Sequence, residues 1–149
     1  MKAPLYKVLG SDGAAVNGGR GKWLLPQDGQ PGAWLEVTGP LKPCENGLHL
    51  CRKQDLIYWL NETIYEAEYE GECVVTADKL VVRKARLLRE TAWNERIARL
   101  LACDFADRAL KRVHKAGREP DPRSWAAVKV ARAYAYSKAT LQDLSAASS

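Results

Sequence analysis

The sequence predicts an α+β fold: a small, mainly antiparallel N-terminal sheet packed with two or three C-terminal helices. Three observations carry that prediction. Glycine and proline crowd the chain before position 48, and between them lie short runs with the period of two that a half-buried strand requires. After residue 86 apolar residues recur at helical spacing, punctuated by capping residues. At 149 residues, 46% hydrophobic and 28% charged, the composition is that of a globular chain and excludes collagenous, disordered and membrane-spanning classes. The length suits a single domain, with a β-rich part over residues 1–85 and a helical part over 86–149.

Residues 5–9 form the first expected strand, ended by the turn cluster Gly10-Ser11-Asp12-Gly13. Gly18-Gly19-Arg20-Gly21 lacks both the Walker Lys-Ser/Thr pair and the G-x-G-x-x-G spacing of a phosphate loop, so it reads as a plain loop. Residues 34–37 give another strand, closed by Gly39-Pro40. Asn46-Gly47 readily supplies positive φ. It leads into residues 48–51, where Leu48 and Leu50 share one face and His49 and Cys51 the other. Residues 54–60 have helical spacing, with Asp55 early in the helix where the dipole favours an anion.

Residues 64–70 alternate cleanly, Tyr65, Ala67 and Tyr69 on one side and Glu66, Glu68 and Glu70 on the other. Gly71-Glu72 is expected to break that strand. Residues 73–75 and 80–82 then add one or two short strands, and the sheet is expected to end near Val82.

Thr91 is the expected cap of the first long helix, whose apolar stripe is Trp93, Ile97, Leu100, Leu101 and Phe105. Further along, Arg108, Lys111, Arg112 and Lys115 occupy the face that was apolar, so the second half of the helix should show a basic face to solvent. Gly117 stops it. Asp121-Pro122 opens another helix, and Thr140 with Asp143 forms a capping box for a last one. Residues 145–149 are expected to fray.

Charge is distributed unevenly. Residues 1–76 sum to −3 and residues 77–149 to +8, within a net charge of +5. The stretch 79–118 holds twelve Lys/Arg against four Asp/Glu, enough to engage an acidic protein or a nucleic-acid backbone. No recognition-helix or RNA-binding signature accompanies it. The partner-binding candidates are Arg108, Lys111, Arg112 and Lys115. Residues 1–7 show no secretory h-region, and no uncharged apolar run approaches the length of a bilayer span, so the expected location is the cytoplasm, with no membrane partner.

The four cysteines are too few for a disulfide scaffold and are expected as thiols or ligands. Cys44, His49 and Cys51 form the candidate zinc set, with Cys73 available from a neighbouring strand. Their C-x4-H-x-C spacing differs from standard knuckles, and the competing reading is a turn and strand whose His and Cys are packed or hydrogen-bonded. A Cys–His nucleophile is a further option, for which no third, orienting group is identifiable. The first expectation is a chain without a cofactor, with zinc and NAD as alternatives. His114 lies near the end of the basic helix, where an imidazolium suits the dipole, and the five tryptophans occupy core-like positions.

The run C-E-N-G-L-H-L-C over residues 44–51, followed by a short helix, the strand I-Y-E-A-E-Y-E-G-E and D-K-L-V-V, resembles an uncharacterised domain family of phage, prophage and bacterial proteins built on a C-x-x-G-[F/L]-H-x-C core. The opening Y-K-V-L-G-S-D-G fits it too, and the resemblance covers about the first 85 residues. Residues 86–102, R-L-L-R-x-x-x-W-N-E-R-x-A-R-x-L-A, are similar to helical segments of bacterial immunity proteins. These resemblances imply a mobile-element setting, as a phage accessory or counter-defence protein. The expected function is that of a small basic interaction protein. A looser resemblance, to mono-ADP-ribosyltransferase-like folds, rests on the order strand, G-L-H-L-C, Trp59-Leu60 and Tyr-rich strand. It implies the alternative of an NAD-using enzyme with catalytic candidates Tyr6, His49 and Glu68, although Cys51 stands where that pattern has Ser or Thr.

Overall fold

In a computed structural model, which describes residues 2–16 and 21–147, the alternating runs of the N-terminal half become five strands. They are β1 (Leu5–Leu9), β2 (Leu35–Glu36), β3 (Leu48–Arg52), β4 (Thr63–Val75) and β5 (Leu80–Glu90). The helices are α1 (Glu95–Lys115), α2 (Pro122–Ala135) and α3 (Leu141–Ala147). The chain divides into two compact units, Met1–Asn94 and Glu95–Ser149. The mixed α+β class with an antiparallel N-terminal sheet is therefore as expected. The loop reading of Gly18, Gly19 and Arg20 lies outside the described residues, as do Ser148 and Ser149 of the expected frayed end.

The sheet closes on itself, a feature the sequence did not announce. β1 pairs with β3 and β4, and β5 also pairs with β3 and β4, every pairing being antiparallel. The result is a four-stranded barrel in the order β1-β3-β5-β4, with the two-residue β2 added to β5 through Leu35↔Ala85 and Glu36↔Lys84. Closure gives the alternating apolar faces a common interior: Leu9, Leu50, Tyr65, Ala67, Leu80, Val82, Ala85 and Leu87 pack there with Trp23. Outside the barrel, Val8, Cys51 and Ile64 form a second cluster with Tyr6, Leu56, Trp59, Leu60 and Trp93.

Two boundaries correct the sequence reading. Gly71 does not end β4. It takes φ +80° inside a strand that runs on to Val75, and the register against β5 shifts between Glu70 and Cys73. That is a bulge, which glycine accommodates without steric cost. Likewise β5 extends through residues 83–90, beyond the expected end near Val82. The outward faces of the two strands explain the extension. Glu66, Glu68, Glu70 and Glu72 pair with Arg89, Arg86, Lys84 and Arg83 at 2.6 to 3.1 Å, so each acidic rung of β4 meets a basic rung of β5.

The 54–60 segment is a short 3-10 helix, Lys53–Tyr58, whose buried Asp55 carboxylate accepts hydrogen bonds from the Arg52 backbone N–H and guanidinium. Thr91 does not cap α1. Its hydroxyl donates to the Ile64 carbonyl at 2.8 Å and the Trp93 indole donates to the Asn61 carbonyl at 2.7 Å, which ties both residues to the start of β4. The helix begins only at Glu95.

Within the second unit the other caps form as expected. Asp121 accepts from the Arg123 N–H at 2.9 Å, and Thr140 and Asp143 exchange hydrogen bonds at 2.9 and 3.1 Å. Gly117 adopts φ +88° just past the end of α1. α1 and α2 meet through buried Cys103, whose thiol donates to the Val128 carbonyl, an Arg132–Asp104 ion pair at 2.8 Å, and Arg99 stacked 4.7 Å from the Tyr134 ring centre.

Candidate functional site

The ladder between β1 and β3 stops after two pairs, Leu5↔Arg52 and Tyr6↔Cys51. Beyond them the strands part, and a cavity of about 390 Å³ lies against the opening. Lys7 sits in this seam. Its ammonium donates to the His49 carbonyl at 2.9 Å, which thus receives a side-chain donor where a ladder N–H is missing, and it lies 5.0 Å from the centre of the Trp23 ring.

On the β5 side of the cavity, Lys79 lies 5.3 Å from the Trp59 ring centre and donates to the Cys44 sulfur at 2.8 Å. The Trp59 indole N–H donates to the Asp78 carbonyl at 3.0 Å, which fixes that wall. The turn before β3 positions the rest. Cys44 holds φ +66° and Gly47 φ +141°, while the Asn46 amide donates to the Thr38 and Pro40 carbonyls at 2.8 and 2.9 Å. The positive φ expected at Asn46-Gly47 thus falls on Gly47 and Cys44, and Asn46 serves as the clamp.

This turn brings the Cys44 backbone N–H within 3.1 Å of His49 Nε2. Because that nitrogen accepts a hydrogen bond, the imidazole proton belongs on Nδ1. Burial, with Lys7 and Lys79 nearby, holds the His49 pKa below its ordinary value, so the ring is neutral at pH 7. Burial lowers the Lys7 ammonium from 10.5 to about 8 against a smaller opposing effect of Cys51, and raises the Cys51 thiol to about 11.

The Lys7 shift has a consequence for stability. The unfolded chain keeps this proton up to the ordinary lysine pKa of 10.5, whereas the folded chain releases it from about pH 8. The unfolded state binds more protons between those values, so this residue's contribution to folding stability improves as pH rises through that window. Cys51, protonated in the fold up to about pH 11, acts in the opposite direction above its ordinary value of 9.0. Comparison with Lys7→Met isolates the lysine. Urea midpoints should move in favour of the native sequence on going from about pH 8 to about pH 10. A gap between the two proteins that does not change with pH rules out the buried ammonium.

The cavity unites Tyr6, Cys44, His49 and Cys51, four of the residues singled out in the sequence. Three of them are held by contacts within the chain. Cys51 is buried and donates to the Tyr6 carbonyl at 3.4 Å, Cys44 is engaged by Lys79, and His49 Nε2 is occupied by the Cys44 N–H. Cys73 packs against the barrel core. Among the described residues no three His, Cys, Asp or Glu side chains gather as a group that could hold a metal. Glu68 is not in the cavity lining and is bound to Arg86 on the outer face of the sheet. Lys7 and Lys79, which dominate the electrostatics here, were not singled out in the sequence. They stand 42 residues and 35 residues from their partners His49 and Cys44, so only strand pairing brings them together.

The second candidate surface is α1. Arg108, Lys111, Arg112 and Lys115 are all exposed, as the helical wheel requires. Lys111 pairs with Asp107 at 2.7 Å, whereas Arg108, Arg112 and Lys115 have no ion-pair partner among the described residues. His114 faces Glu119 at 3.1 Å. No helix among the described residues is long and apolar enough to cross a membrane.

Together these features define a chain of mixed α+β class, with a cationic cavity in a small barrel and a cationic face on a separate helical unit. Comparison with protein families, with curated proteins and with solved structures finds no match to this chain.

Proposed function

We propose that this chain is an interaction protein that binds an acidic segment of another protein through the exposed face of α1. The observation that carries this reading is a division among the cations. The basic residues of β5 are matched one for one by the glutamates of β4. Arg108, Arg112 and Lys115, by contrast, are exposed and have no acidic neighbour within ion-pair distance among the described residues.

At 100° per residue, Phe105, Arg108, Arg112 and Lys115 fall within an arc of about 80° and span about 15 Å of helix. Phe105 is 48% exposed on this stripe, beside the cations. An aromatic ring adjoining three cations suits a peptide that offers apolar and carboxylate groups together better than it suits a phosphate backbone. A mobile-element setting with a host protein as the partner belongs to this reading. It rests on the resemblances of residues 44–51 and 86–102.

Fluorescence anisotropy with a labelled peptide of alternating Glu and Leu, against a labelled DNA duplex, tests the reading. Combined Arg108→Glu, Arg112→Glu and Lys115→Glu substitution should weaken peptide binding by at least about tenfold, mainly through charge complementarity. Lys111→Glu should cost less, because Lys111 already has Asp107. Tighter binding of the duplex than of the peptide, or indifference to the triple reversal, rejects the proposal.

A further inference from the structure

From the walls of the barrel cavity we infer a second site, one that binds a small organic anion with a flat apolar body, its charge met by Lys7 and Lys79 and its body by Trp23 and Trp59. The inference is independent of the α1 surface and draws on four features of the cavity.

The first is charge. Two lysines and one histidine line the cavity, and no aspartate or glutamate is among the described lining residues. A partly buried ammonium without a carboxylate is poorly compensated, and an incoming anion supplies what the protein does not. The second is donor capacity. The Lys7 ammonium gives one hydrogen bond to the His49 carbonyl and the Lys79 ammonium one to the Cys44 sulfur, so each has protons to spare. His49, accepting at Nε2, presents a further N–H at Nδ1, for which no acceptor is found among the described residues.

The third feature is the wall chemistry. Both ammoniums lie over indole rings, at 5.0 and 5.3 Å, so each cation of the cavity adjoins an aromatic wall. An anion attached to a planar apolar group can meet a cation and an aromatic face at once. The fourth is size. A volume of about 390 Å³ suits a small molecule and is too little for a folded partner. Among the described residues, Lys7 meets Cys51, the His49 carbonyl and Trp23, and Lys79 meets Cys44, His49 and Trp59. None of them is a carboxylate.

Calorimetric titration of the full chain with 2-naphthoate, 2-naphthamide and inorganic phosphate tests this. The expected result is saturable binding of 2-naphthoate, with 2-naphthamide weaker by at least about tenfold, the discrimination a charge-assisted contact provides. Lys79→Met, at the mouth of the cavity, should weaken 2-naphthoate by about the same factor. Lys7→Met should do so as well, with its folding confirmed by thermal melting. Arg108→Glu with Arg112→Glu should leave 2-naphthoate binding unchanged, which separates this site from the α1 surface. Equal binding of the naphthamide overturns the anion assignment. Phosphate binding as tight as 2-naphthoate overturns the apolar-body assignment. Failure of 2-naphthoate to saturate, or its full retention in both lysine variants, overturns the site.

Discussion

Gly47→Ala should unfold the N-terminal unit or destabilise it by more than about 3 kcal/mol, because two independent penalties meet at this residue. Its φ of +141° lies in a region that side chains of the L series rarely adopt, and a Cβ there would stand 2.3 Å from Val81 Cγ1. Val81 is fully buried in β5, so it cannot step aside. The comparison that isolates the clash is Gly29→Ala. Gly29 also has positive φ, +73°, but nothing lies within 4 Å of its Cβ position. That variant should lose only about 1 kcal/mol. Chemical denaturation of both settles the matter, and a Gly47→Ala protein as stable as Gly29→Ala contradicts the close approach.

Leu87→Ala should cost about 2–5 kcal/mol, the range for removing a buried leucine and leaving a void that its neighbours only partly fill. Leu87 has no exposed surface and sits at the β4 seam opposite Ala67. The small partner cannot expand into the gap. The Leu87 carbonyl also accepts the Gly32 N–H at 2.8 Å, so the segment before β2 hangs from the same residue. Leu88→Ala, one position along and only half-buried, should cost markedly less. Equal losses at the two positions would mean that the alternation along β5 has been misassigned.

Where local chemistry decides, the structure was legible in the sequence. β1, the start of β3, the Asp121 cap and the Thr140–Asp143 box are all set by residues within a few positions of one another. Long-range pairing decided the rest. Residues 86–90 fall in the expected helical part until the cations of β5 are set against Glu66, Glu68, Glu70 and Glu72, whereupon the two charge patterns become complementary faces of one hairpin. That complementarity was present in the sequence as a signal. Gly71 reads as a break because glycine in a strand usually weakens it; here a register shift absorbs it.

The candidate site was half legible. His49, Tyr6, Cys44 and Cys51 do share a cavity, as the C-E-N-G-L-H-L-C turn and strand suggested. The two lysines that give the cavity its charge were hidden, since neither lies near that turn in sequence. Trp23 and Trp59 occupy core-like positions in the sequence. Trp23 is indeed in the core, and each also provides a cavity wall.

Barrel closure has a consequence for how this chain meets other chains. β1, β3, β4 and β5 each have a neighbour on both sides over part of their length, while residues 68–75 of β4 pair with β5 alone. Where both sides are occupied, an intruding strand finds few free backbone groups to pair with, the usual route to edge-to-edge aggregation. The shortest ladder of the ring is the two-pair β1–β3 ladder, and there the chain carries a lysine. A charged side chain on an open edge is a known defence against strand addition, because pairing would strand the ammonium without water. Lys7 thus guards the short β1–β3 ladder, its ammonium held on the His49 carbonyl.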